Sequence, residues 1–151
     1  MTAFTAQTDD YEDRVRTSLA RQNALTLMGA ELVHVEPGLV KLQIAHDDRL
    51  TQQHGFIHAG ITTTLLDSAC GYAAFSLMPA DAGVLTVELK TSLLAPADGE
   101  RFVFEGRVVK AGRTISFCEG RAHALKQGQE RLIATMSATM MTVTGRSDVR
   151  G

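Results

Sequence analysis

Between residues 84 and 94 the chain alternates, with Leu85, Val87, Leu89 and Leu93 on one side and Thr86, Glu88, Lys90 and Ser92 on the other. Successive side chains of a strand point to opposite faces, so this spacing predicts a half-buried strand. Further strands are expected at 101–110, 114–125 and 131–143, set apart by Pro96, Asp98 and Gly99, then by Gly112, then by residues 127–129. Four strands in series with short connections predict an antiparallel meander. Upstream, 31–35 and 39–44 read as a hairpin turned by Pro37 and Gly38. Two segments have helical spacing instead. Tyr11, Val15, Leu19, Leu25 and Met28 recur among charges over 11–28, predicting an amphipathic helix that ends near Gly29. The apolar run 57–78 predicts a long helix whose core side carries Ile61, Leu65, Ala69 and Tyr72, and the aperiodic stretch 46–55 is the loop that leads into it. About six strands sharing one long helix predict an α+β fold, a curved antiparallel sheet wrapped around that helix.

Length and charge narrow this picture. The chain has 151 residues, enough for one core and no second one, so a single domain over 11–144 is expected, with a loose arm at 1–10 and a frayed tail at 145–151. A formal net charge of −2 gives no bias toward nucleic acid or anionic membrane. The run 57–78 approaches membrane-spanning length but contains Gly60, Thr62, Thr63, Thr64, Asp67, Ser68 and Gly71, which suit a buried helix of a soluble protein. The first ten residues lack the basic start and apolar stretch of a signal peptide. Cys70 and Cys118 stand far apart, without disulfide or zinc spacing, and a reduced, cytoplasmic setting is the expectation.

The candidate chemistry lies in and before the long helix. Asp67 falls opposite the core side, among the small residues Gly60, Thr63, Thr64, Gly71 and Ala74. Small residues permit close approach, so another backbone or a thin ligand is expected there. A carboxylate on such a face needs hydrogen bonds or a task, although an ordinary exposed aspartate would look the same. Just before the helix, Gln52, His54, Gly55 and His58 to Gly60 supply amide, imidazole and glycine groups, where free N–H groups and the positive dipole end favour an oxyanion such as a thioester carbonyl oxygen. His58 and Asp67 are nine residues apart, about two and a half turns, so they cannot form a dyad on one helix face. His54 and His58 have i, i+4 spacing, but Gly55 and the missing helical context argue against a metal pair. Ser68 is outside any Gly-x-Ser-x-Gly elbow, and both cysteines read as small buried hydrophobes, with Met136, Met140 and Met141 as core filling.

Taken in order, Gly55-x-x-His58-Ala59-Gly60, Leu65-Leu66-Asp67, Val87-x-Leu89-x-x-x-Leu93-Leu94-x-Pro96 and Val109-x-x-Gly112-Arg113 resemble the hotdog-fold thioesterases, and within them the acyl-CoA thioesterases of the phenylacetate-pathway type, across residues 30–143. The resemblance implies a dimer with a continuous sheet, often paired into a tetramer, with each active site shared between subunits. It departs from the family pattern in His58-Ala59-Gly60 for the usual His-Gly-Gly and in Gln52 for the usual asparagine. Alanine keeps the backbone N–H, and glutamine keeps an amide donor displaced by one methylene. The resemblance makes Asp67 the general base or the nucleophile. The N–H of Ala59, beside Gly60, becomes the oxyanion donor, with Gln52 and His58 fixing substrate or water. Thr86 takes the strand position where similar enzymes place a hydroxyl near the attacking water. Gly55, Thr64, Lys110, Gly112 and Arg113 are substrate-binding candidates, Arg113 for the nucleotide phosphates of coenzyme A. No metal or redox cofactor is expected, coenzyme A entering as part of an acyl-CoA substrate. A hotdog dehydratase or hydratase and a non-catalytic acyl-CoA-binding module are the rival readings. The acyl group is not identified, though Phe56, Ile57, Phe75 and Leu77 are apolar candidates for its pocket.

Overall fold

The computed structural model describes residues 3–151, in which six strands form one antiparallel sheet with a long helix against it. The strands are β1 (Glu31–Glu36), β2 (Leu39–Ala45), β3 (Gly83–Leu93), β4 (Arg101–Lys110), β5 (Ile115–Lys126) and β6 (Gln129–Val143). The central helix is α3 (Ala59–Phe75), preceded in the chain by α1 (Tyr11–Ala20) and α2 (Asn23–Leu27). The expected α+β architecture of six strands and one long helix is what the chain forms. No helix among the described residues is long and apolar enough to cross a membrane.

The order of strands corrects the expected meander. It runs β1-β2-β4-β5-β6-β3, so of the four strands expected in series only β4, β5 and β6 follow one another in space, and β3 pairs with β6 at the far edge. Pro96, Asp98 and Gly99 do reverse the chain, but a turn signal specifies a change of direction and not the partner strand. The crossing segment is tied to the start of α3 by Ile57 N–H to Ala97 O at 3.1 Å and to the end of β2 by His46 N–H to Glu100 O at 2.9 Å.

A second correction concerns β3 itself. Its register passes from Thr86 opposite Met140 to Glu88 opposite Thr139, leaving Val87 as an extra residue. Such a bulge reverses the phase of a strand. Thr86, Leu89, Thr91 and Leu93 therefore share the helix side with the buried Met140, Ala138, Met136 and Ala134 that they oppose, while Leu85 joins the outward side. Because β3 is an edge strand, Leu85, Val87, Leu89 and Leu93 are all exposed in the single chain, and the expected half-burial is absent.

The helices also start and stop differently from their periodicity. The expected helix over 11–28 breaks after Ala20, since six residues separate Leu19 from Leu25 and one straight helix would not hold both on one face. The break returns Leu25 to the core and leaves Leu27 exposed. The long helix begins at Ala59 rather than 57 because His58 is extended and serves as its N-cap, while Ile57 forms a bridge with Thr51. It ends at Phe75, short of the expected 78.

Close approach of α3 to the sheet rests on Gly106 and Gly120, which oppose one another on β4 and β5. A Cβ on Gly106 would come within 2.2 Å of the Ala69 carbonyl carbon, so helix backbone lies directly on strand backbone. Gly71 and Ala74, expected on the small-residue face with Asp67 where a backbone or a thin ligand would lie close, are buried within the chain.

Met1 and Thr2 of the expected arm lie outside the described residues. The rest of that arm is fastened rather than loose: Phe4 packs on the core over Gly38, and Gln7 Nε2 donates to Leu77 O at 2.8 Å. Arg14 donates to Met78 O at 3.1 Å and Pro79 O at 2.8 Å and lies over the Phe75 ring, satisfying carbonyls beyond the C-terminus of α3. The tail expected to fray also returns to the fold, with Gly151 N–H bonded to Ala82 O at 3.3 Å and Val149 against Gly83.

Candidate active site

The N-terminus of α3 opens into a cleft of about 580 Å³, lined by Gln52, His58, Ala59 and Thr62 and by the apolar walls Phe56, Ile57, Leu93, Leu94 and Ile133. Each polar group is set by local chain geometry. Gln52, in a turn closed by Gln52 N–H to Phe56 O at 2.9 Å and Gly55 N–H to Gln52 O at 3.0 Å, accepts at its side-chain Oε1 from the N–H of His54. Its Nε2 has no acceptor among the described residues and is left as a donor at the cleft. Gly55 supplies that turn with φ of +84°, a conformation that glycine adopts without strain.

His58 Nδ1 accepts from Gly60 N–H at 2.9 Å, so the ring caps the helix and the proton of its neutral form sits on Nε2. A Cβ at Gly60 would lie 3.1 Å from that Nδ1, which is why glycine suits the position. The N–H of Gly60 is thereby spent on the cap. The N–H of Ala59, first in the helix, has no intrahelical acceptor and no other partner among the described residues. With the helix dipole behind it, this donor suits a carbonyl oxygen that gains negative charge.

Asp67 does not line this cleft. It is half-buried on the β3 side of α3, where Thr86 Oγ1 donates to its Oδ1 at 2.7 Å. Eight residues separate it from Ala59, about 12 Å along a rigid helix, so one chain does not aim both at the same carbonyl. Nor does His58 reach it, in keeping with the sequence spacing. Thr64 Oγ1 donates to Gly60 O at 2.9 Å, back into its own helix. Gly112 and Arg113 line a separate recess with Ala74, Leu77 and Met78, at the other end of α3, and Lys110 is exposed near the same turn. His54 is exposed, and among the described residues no three His, Cys, Asp or Glu gather as a metal-holding group. Both cysteines are buried, and burial pushes the Cys118 thiol up to about 12 and the Cys70 thiol higher still.

Sequence reasoning found Phe56 and Ile57 in the cleft but missed its other walls. Leu93, Leu94 and Ile133 were legible only as strand residues, because their contribution depends on the crossing segment meeting the start of α3. Phe75 and Leu77 are buried at the opposite end of the helix instead. Thr62 was hidden in a run of three threonines whose faces only the helix register separates.

One long helix held by a six-stranded antiparallel sheet defines the hotdog fold. The chain belongs to the thioesterase superfamily, which matches residues 54–130, and membership makes it a thioester hydrolase. A crystal structure of a thioesterase family protein from Silicibacter pomeroyi superposes with a TM-score of 0.89 at 54% identity, covering 89% of this chain and 99% of that one. An inferred esterase of Halobacterium salinarum is 32% identical over 79% of this chain and 80% of its own length. Human acyl-coenzyme A thioesterase 13 is 27% identical over 76% of this chain and 82% of its own length.

Proposed function

We propose that this protein hydrolyses acyl-CoA thioesters at sites built by two copies of the chain, without a metal or redox cofactor. The observation that carries the reading is the separation of Ala59 from Asp67 on one helix, combined with an unpaired edge strand that can supply the missing neighbour. The regular part of β3 runs from Glu88 to Leu93, bounded by the Val87 bulge, and its midpoint lies between Lys90 and Thr91. Antiparallel pairing of two β3 strands about that midpoint sets Thr86 of the second copy opposite Ala95, at the wall of the first copy's cleft. Asp67 travels with Thr86. The exposed Leu89 and Leu93 and the unpaired edge would be covered in the same step.

In the site so formed, the thioester carbonyl oxygen accepts from Ala59 N–H and Gln52 Nε2. Asp67 of the other copy takes a proton from water, whose oxygen bonds the carbonyl carbon. The C–S bond then breaks, and the proton passes to the thiolate of coenzyme A. Direct attack by Asp67 with later hydrolysis gives the same products. The same pairing carries the second copy's Lys110 and Arg113 toward the cleft end of the first, where nucleotide phosphates would extend.

Thiol release from a panel of aliphatic and aryl acyl-CoAs, followed with a chromogenic thiol reagent, tests the activity. Steady release from at least one member is expected. Saturable binding with no release across the panel would favour a non-catalytic acyl-CoA binder.

A further inference from the structure

One irregularity in β6 bears on what the cleft accepts. Along β5 the register passes from Ala134 opposite Ala122 to Leu132 opposite His123, which leaves Ile133 as an extra residue. On its other side the Ile133 carbonyl oxygen accepts both Leu94 N–H at 2.8 Å and Ala95 N–H at 3.3 Å. In a regular strand Ile133 would be in phase with Thr135 and the exposed Ser137, on the face away from α3. Instead it is 1% exposed and lines the cleft, directly before Ala134, which is also buried. A bulge beside a site re-aims a side chain, and the side chain re-aimed here is a branched, apolar one.

Burial separates the mouth of the cleft from its floor. Leu93 and Leu94 are more than half exposed and stand at the mouth, whereas Ile57 and Ile133 are buried at the floor. Ile57 belongs to the segment that leads into α3, two residues before Ala59, and so lies at the carbonyl end. Ile133 comes from the sheet. The buried residues around its bulge on β5 and β6 are Ala122, Ala124 and Ala134, so Ile133 is the bulky group in that part of the sheet. With the thioester oxygen at Ala59 N–H, an acyl chain that runs inward ends against this side chain. Resting on the acyl-CoA thioesterase reading above, we propose that Ile133 is a specificity-determining residue, setting the longest acyl chain that the cleft admits.

The test measures kcat/KM of the whole chain for straight-chain acyl-CoAs from butanoyl to palmitoyl. The value should rise about fourfold per added methylene while the chain fits, then fall at a break once it does not. Ile133→Ala shortens the floor side chain to a methyl and should move the break to substrates about two carbons longer, while Ile133→Phe should move it to shorter ones. A purely structural role would lower stability and all the rates together and leave the break in place. If the alanine variant does not fold, Ile133→Val should still raise the first substrate beyond the break about fourfold relative to the one before it. A break that stays in place in the folded variants, or a wild type with no break or with activity on aryl acyl-CoAs alone, overturns the inference and leaves the acyl-CoA reading intact. Hydrolysis of no acyl-CoA by the wild type, aryl ones included, removes that reading and the inference with it.

Discussion

Thr86 donates a 2.7 Å hydrogen bond to Asp67, and it reaches that carboxylate only because the strand between Thr86 and Thr91 contains one residue too many. Thr91 and Thr86 are five positions apart, yet both bond to the same helix, at Thr63 and Asp67. In a regular strand an odd spacing puts two residues on opposite faces. The Val87 bulge removes the conflict and aims a hydroxyl at the candidate base.

Thr86 should orient the carboxylate rather than bind substrate. Replacing it with valine removes one hydrogen bond to a charged group, and turnover number should fall about ten- to hundredfold while KM changes little. Thr86→Ser should restore most of the rate. Equal loss in both variants, tracking a loss of thermal stability, would assign Thr86 a purely structural role.

Gly106 sets the distance between helix and sheet. Gly106→Ala would drive a Cβ to within 2.2 Å of the Ala69 carbonyl carbon, where backbone on both sides prevents relief by rotamer change. A destabilisation of about 3 kcal/mol or more is expected in urea titrations. A change within 0.5 kcal/mol of zero would mean that α3 can lift from β4 freely.

The buried thiols should be silent in the folded protein. Burial holds Cys118 up at about 12, against 9.0 for an ordinary thiol, and Cys70 is raised for the same reason. Neither should react with a chromogenic disulfide reagent at pH 8 until denaturant is added. The raised values also give stability a sign. Below pH 9.0 thiols are protonated in both states and nothing is lost, whereas between 9.0 and about 12 unfolded thiols ionise and folded ones do not. Stability should therefore fall as pH rises through that window, and less steeply in Cys118→Ala. Rapid labelling of the native protein would contradict the burial.

The sequence made the strand and helix content legible because each segment has a clear period, but topology and phase were not. Nothing in Pro96-x-Asp98-Gly99 states that the next strand pairs with β2 and β5 while β3 is left at the edge beyond β6. The alternation of residues 84–94 is regular in hydrophobicity, so the Val87 bulge, visible only in its pairing to Met140 and Thr139, is hidden. The approach to α3 was more legible, since Gln52, His58 and Ala59 owe their places to local turn and cap geometry. His58 and Asp67 stand nine residues apart, His58 capping α3 and Asp67 within it, and a rigid helix keeps that separation.

That separation leads to a decisive mixing experiment. Asp67→Asn lacks the charge a base or nucleophile needs, and its turnover number should fall about 10²–10⁴-fold. His58→Ala keeps Asp67 but loses the cap that frames the Ala59 donor. Each variant alone should be nearly inactive. After co-refolding in equal amounts, half of the dimers are mixed, and each mixed dimer holds one site with an intact cleft from one chain and an intact Asp67 from the other. Activity should return to about one quarter of the wild-type value at the same protein concentration. If each chain instead carries a complete site of its own, every site in the mixture keeps one defect, and co-refolding would give no more activity than the two variants assayed apart.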